Sequence, residues 1–192
     1  MLSRRTLLRG VVAFAATTSL ALPKVAFAHQ RKRKKFRLAA KYQPQRVRFS
    51  GYELGTIVVD TRNHFLYLVE SSRSARRYGV GVGKAGLSFK GTARIKRKAK
   101  WPSWTPTRNM IRREPAKYAR YADGVPGGPT NPLGARALYL YKGKRDTMFR
   151  IHGTTQPWSI GRSVSNGCIR MLNAHVKDLY ERVPKGTRVV VL

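Results

Sequence analysis

From Thr56 onward, apolar and polar residues alternate along much of the chain, which predicts strands. Thr56 to Val59 and Phe65 to Val69 are two β-rich runs around a turn at Thr61-Arg62-Asn63, the pattern of a hairpin. "RRYGVGVGKAG" interleaves glycine with β-formers and reads as a strand that another backbone approaches closely. "TARIKRKAK" continues as an alternating strand, with Ala93 and Ile95 set between basic residues, and "ARALYLY", "TMFRIHG" and "TRVVVL" supply three more. Helical periodicity is confined to two places. "REPAKYARYADG" has Pro115 near its start and Gly124 after its end. "NAHVKDLYERVPKG" has Asn173 as N-cap, apolar residues at Val176, Leu179, Tyr180 and Val183, and a Pro184/Gly186 stop. His175 falls in the first turn of that helix, on or near its solvent side. The expectation is a mainly β domain with one or two short helices and no internal repeat.

The first 28 residues break this pattern. They have a basic start, an apolar run from about Gly10 to Leu22 that is short for a bilayer span, and the small-residue sequence Ala26-Phe27-Ala28. This reads as an export signal cut after Ala28. The segment from Ser3 to Arg9 resembles a twin-arginine signal, which implies export of an already folded protein; the general secretory route and an uncleaved anchor are the alternatives. Residues 31 to 48 carry nine Lys or Arg and no acid, so residues 29–50 are expected to be a basic flexible arm, with the folded domain over residues 51–192.

Charge reinforces the envelope reading. The chain holds 40 Lys and Arg against 8 Asp and Glu, a formal net charge of +32, and loss of residues 1–28 lowers this only to +28. Such a field draws polyanions, and in the cytoplasm nucleic acid would be the first candidate. An exported protein meets anionic envelope polymers instead, so the expected location is the periplasm or cell envelope, with no nucleic-acid partner. Two readings of the arm stand: it holds the domain against anionic polymer, or it is a solvated tether.

Cys168 is the only cysteine, so no internal disulfide forms. The four histidines are scattered without metal-ligand spacing, and "GVGKAG" lacks the helix that a phosphate loop opens, so neither a metal nor a cofactor is expected. Cys168 follows Asn166-Gly167, a tight-turn pair whose glycine permits positive φ, and His152 ends an apolar strand sixteen residues earlier. From these residues alone Cys168 is either a small buried apolar side chain or a nucleophile served by an imidazole, with N–H groups near Gly167 and Cys168 aimed at an oxyanion. Trp101 and Trp104 are either a groove lining or a packing corner, and His64 is a surface or half-buried side chain.

The stretch "IHGTTQPWSIGRSVSNGCIRM" closely resembles the active-site signature of L,D-transpeptidases, the YkuD-type domain, in which an HGT segment precedes a [ST]HGC[IL]R segment by fifteen or so residues. A looser likeness runs over residues 55 to 192. The resemblance implies an L,D-transpeptidase-type β-sandwich acting on peptidoglycan stem tetrapeptides. It makes Cys168 the acylated nucleophile, His152 the base that forms an ion pair with it, and the Gly153 carbonyl the acceptor that orients the imidazole. Arg170 positions a substrate carboxylate or braces the loop. The departure is Asn166, where the family usually has a second histidine; asparagine hydrogen-bonds but shuttles no proton. The acyl acceptor is left open between a second stem peptide, water (an L,D-carboxypeptidase) and an envelope protein. A non-catalytic basic wall-binding module on the same scaffold is the alternative of a different class. A papain-like order of Cys before His does not fit, and a sortase-like protein typically separates the two more widely.

Overall fold

The computed structural model describes residues 36–87 and 89–192. The export signal expected over residues 1–28 lies outside them, as do residues 29–35 of the expected arm. The rest of that arm is folded. Strand β1 (Gln45–Arg48) pairs antiparallel with β4 (Ser74–Gly79), Val47 opposite Ala75. Just before it, a 3-10 turn at Ala40–Tyr42 lays the Tyr42 side chain over Gly79 and Gly161, where any Cβ would collide with it, and 5.6 Å from the Phe65 ring. The folded body therefore begins before Gly51, correcting the expected boundary. Composition misleads here because β1 is a sheet edge, and edge strands turn charge outward, as the exposed Arg46 and Arg48 do.

The predicted hairpin forms between β2 (Ile57–Asp60) and β3 (Phe65–Ser71). Asp60 braces its turn, Oδ1 accepting the N–H groups of Arg62 at 3.0 Å and Asn63 at 2.9 Å. His64 leaves the turn half-buried at φ 60, its Nε2 3.0 Å from Ser163 Oγ. The glycine-rich segment runs through β4 into β5 (Val82–Gly83) and then a turn, so no helix N-terminus follows it. The close approach it predicts is real: a Cβ on Gly81 would sit 2.5 Å from the Ser159 carbonyl.

Strands β6 (Gly91–Lys100), β7 (Arg136–Lys142), β8 (Arg145–His152), β10 (Ile169–Arg170) and β11 (Arg188–Val191) complete a nine-stranded sheet in the order β1-β4-β3-β2-β11-β6-β7-β8-β10. β5 pairs separately with β9 (Ser163–Ser165). Leu66 on β3 shares one core with Ile151 on β8 and Ile169 on β10, strands far from β3 in that order, so the sheet curls over itself as a sandwich does. A backbone exchange between Gly81 and Arg170, at 2.9 and 2.7 Å, ties its two flanks together.

The helix expected over residues 113–124 is short, α2 (Pro115–Tyr118) followed by a 3-10 turn at Ala119–Tyr121, and a further helix that was not expected, α1 (Arg108–Arg113), precedes it. Thr107 caps α1, its Oγ1 accepting the Met110 N–H at 3.2 Å. α3 (Asn173–Arg182) packs its apolar stripe on the core as predicted. Two expectations there are corrected. Asn173 is the first helical residue and caps nothing; its Oδ1 accepts the Ala135 N–H at 3.0 Å. His175 is buried against Tyr78 and not solvent-facing, because it stands four residues before Leu179 on the inner stripe.

Candidate active site

β8 and β10 run parallel, with Ile151 opposite Ile169 and His152 opposite Arg170. Side chains alternate along a strand, so Ile151 and Ile169 enter the core while His152 and Arg170 face the other way. There they line a cleft of about 750 Å³ together with Asn166 and Cys168. Four of the site residues singled out in the sequence thus converge on one cavity, whose far wall comes from α1, α2 and the 3-10 turn after them, while Gly153 and Gly167 stand behind its lining.

His152 is buried, and its Nδ1–H donates to the Gly153 carbonyl at 2.5 Å, which leaves Nε2 unprotonated. Gly153 must lack a side chain, since a Cβ there would collide with Asn173 Oδ1. Burial, then the Arg170 guanidinium, lower the His152 pKa to about 3 against the opposing pull of the Gly153 and Leu133 carbonyls. Burial also raises the pKa of the Cys168 thiol; the Arg150 backbone N–H and the Arg150 and Arg170 charges only partly offset it. Both shifts favour the neutral thiol and the neutral imidazole. Both run against the ion pair that the family resemblance implies. The thiol itself contacts the Met148 carbonyl at 3.9 Å, and Met148 holds a left-handed φ of 64 at the cleft rim.

The turn that carries Cys168 is clipped by Ser165. Its buried hydroxyl donates to the Cys168 carbonyl at 2.6 Å and accepts the Gly167 N–H at 3.1 Å. The Gly167 N–H is thereby committed, which corrects its expected service to an oxyanion. Glycine is required there on two grounds: φ is 118, and a Cβ would collide with the Phe149 ring. Asn166 donates from Nδ2 to the Tyr118 hydroxyl at 2.7 Å, joining the Cys168 turn to α2. Arg170 braces through its backbone to Gly81 and directs its half-buried guanidinium at Gln156 Oε1, 2.9 Å away.

Of the two tryptophans, Trp104 lines the cleft and also packs edge-on against Tyr118 and Tyr121, at 6.3 and 5.8 Å. Trp101 lies outside the lining, 42% exposed, with the Lys177 ammonium 5.9 Å from its ring. Sequence reading missed Ser165, Tyr118, Gln156 and the inward role of Asn173. Ser165 occupies the [ST] position of the signature and had a visible signal; Tyr118 had none, because its partner is 48 residues away.

Comparison with known proteins places the chain in a family and a fold. "Probable L,D-transpeptidase ErfK/SrfK" of Escherichia coli is 36% identical over 141 residues, 72% of this chain and 44% of that protein, so the chain spans less than half of that relative. The solved "Probable carnitine operon oxidoreductase caia" of Brucella melitensis is 60% identical, covering 79% of this chain and 94% of that one, with a TM-score of 0.55. An L,D-transpeptidase of Enterococcus faecium, 18% identical with a TM-score of 0.51 over 73% of this chain and 50% of that one, shares the fold. The L,D-transpeptidase catalytic domain profile, YkuD, matches residues 55–191, and the chain belongs to that family.

Proposed function

We propose that this chain is a cysteine-dependent L,D-transpeptidase of the exported envelope, acting on peptidoglycan stem tetrapeptides through a thioester on Cys168. The observation that carries the reading is the convergence of Cys168, His152 and Arg170 on one cleft, with the imidazole fixed by the Gly153 carbonyl. A donor carboxylate against Arg170 would offset the charge that depresses His152. Nε2 would then take the thiol proton as sulfur attacks the carbonyl of the third residue. The C–N bond to D-alanine breaks, Nε2–H protonates the departing amine, and a thioester remains. An amine of a second stem attacks that thioester, losing its proton to Nε2, and the thiolate leaves to give a cross-link between third-position residues. Water in place of the amine gives the carboxypeptidase outcome, and an envelope protein amine gives attachment to the wall.

Export by residues 1–28 and contact of the basic amino-terminal segment with anionic envelope polymer belong to the same proposal, supported by the sequence pattern and the charge. Among the described residues the glycine-rich segment enters a turn and no helix, which lends an oxidoreductase reading no support. Incubation with tetrapeptide muropeptides and mass analysis tests the reaction. Loss of D-alanine with dimer formation is expected, abolished in Cys168→Ala. Unchanged substrate, or activity that survives the substitution, refutes the mechanism and leaves a wall-binding module.

A further inference from the structure

Strand β8 does not run straight into the site. Against β7, Tyr141 faces Asp146 and Tyr139 faces Arg150, so Thr147, Met148 and Phe149 stand opposite Leu140 alone. This is a bulge, and side chains close it where the ladder is interrupted. Thr147 Oγ1 donates to the Leu140 carbonyl at 2.6 Å and accepts the Phe149 N–H at 3.2 Å. Asp146 Oδ1 accepts the Met148 N–H at 2.8 Å and the Arg150 guanidinium at 2.7 Å, while Oδ2 takes a second guanidinium bond at 3.0 Å. That guanidinium lies 4.4 Å from the Tyr139 ring. Met148 is held at its left-handed φ of 64, a conformation that a residue with a side chain keeps only where its surroundings impose it.

The bulge turns three groups onto Cys168. The Met148 carbonyl is the acceptor for its thiol at 3.9 Å, and the Phe149 ring packs on Gly167, the residue before it. The third is the Arg150 N–H. The Gly153 N–H bonds the Arg136 carbonyl at 3.0 Å, so the bonded pairs along β7 and β8 alternate to Leu138–Ile151 and pass over Tyr139–Arg150. The Arg150 N–H is thereby turned from β7 towards the side where β10 lies, and there it meets the Cys168 sulfur. The Arg150 and Arg170 charges favour the anionic sulfur, and Asp146 opposes it. Building on the proposed reaction, we propose that the bulge is a cradle for the Cys168 sulfur and that Asp146 and Thr147 are the positioning residues that hold it. In the free cleft the S–H lies on the Met148 carbonyl. As the proton passes to His152 Nε2, the Arg150 N–H stays in place as a donor to the thiolate, and no group has to turn to receive the charge. Neither Asp146 nor Thr147 lines the cleft; each acts through the backbone it fastens.

Two pairs of variants test the cradle with charge held constant. Thr147→Val loses the hydroxyl at equal size, and Thr147→Ser keeps it. Asp146→Ala loses the Oδ1 bonds, and Asp146→Asn keeps an oxygen that can make them. Iodoacetamide alkylation of Cys168 across pH reads the sulfur without any substrate. At a fixed pH on the rising limb, Thr147→Val should react about threefold more slowly than Thr147→Ser, which equals a profile moved up by about half a pH unit. Asp146→Ala should lag Asp146→Asn by a like factor. Thermal midpoints show which variants are folded at the assay temperature, and if Thr147→Val is not, the aspartate pair supplies the comparison. Equal alkylation within the folded pair, whatever its midpoints, marks a merely structural bulge and overturns the cradle. With a tetrapeptide muropeptide, kcat for D-alanine release should fall about tenfold in Thr147→Val while KM stays within about twofold; a change confined to KM overturns the positioning role. The reaction is judged apart, on the native protein: D-alanine release with equal alkylation refutes only the cradle, and unequal alkylation without release refutes only the reaction.

Discussion

Replacing Ser165 with alanine removes one oxygen that serves two backbone groups of the Cys168 turn. The Gly167 N–H is left buried without an acceptor, at a cost of about 1–3 kcal/mol. The Cys168 carbonyl loses its donor too, but Cys168 is only half-buried and water can replace it, so that loss is about 0.5–1.5 kcal/mol. The sum, about 1.5–4.5 kcal/mol, corresponds to a melting midpoint lowered by roughly 3–18 °C for a domain of this size. Displacing the sulfur by about 1 Å would also slow acylation on the order of a hundredfold. Ser163→Ala is the comparison: its hydroxyl meets His64 at 3.0 Å on an exposed edge, and its removal should stay within about 0.5 kcal/mol. Thermal denaturation followed by circular dichroism reads the first effect, and intact-mass detection of the thioester reads the second. Equal melting midpoints for the two variants would refute the clip.

Because burial raises the Cys168 pKa above its ordinary value of about 8.5, the thiolate fraction at pH 7 should lie below about 3%. Iodoacetamide alkylation of the free protein should therefore climb about tenfold per pH unit up to at least about pH 8.5; a plateau already near neutrality would mean that a resting ion pair exists. Asn173→Ala should cost about 1–3 kcal/mol in urea unfolding, with faster hydrogen exchange at Ala135; faster exchange confined to the first turn of α3 would instead restore the capping role. Tyr42→Ala should cost about 2–3 kcal/mol, read by the same unfolding curve, and no loss would mean that the segment before Gly51 is indeed a loose arm.

Much of the fold is legible locally. The β2–β3 hairpin, the β6 alternation and the α3 stripe each follow a period that a short window displays. The α3 stripe even specified His175 as an inner residue, four before Leu179, but a polar residue in a first turn was read as solvent-facing. β1 was hidden by its charge, since an edge strand with Val47 between Arg46 and Arg48 has the composition of a tail. The centre of the site was legible because His152, Gly153, Gly167, Cys168 and Arg170 sit within one signature. Its outer wall was not: Asn166 meets Tyr118 only after the chain has folded, and no local pattern encodes a partner that far away. The direction of the His152 and Cys168 shifts was equally hidden, because both follow from burial and not from neighbours in sequence.

Tyr42 rests on Gly161, the residue beside Arg162 in the cleft lining, while β1 just after it is hydrogen-bonded along the sheet edge. A pull arriving from the amino-terminal side is therefore carried first by an aromatic wedge adjoining the cleft floor and then by the bonds of β1 to β4, loaded lengthwise. Clipping the chain between Tyr42 and Gly51 would not shed a loose leash; it would strip that wedge from the back of the reaction chamber.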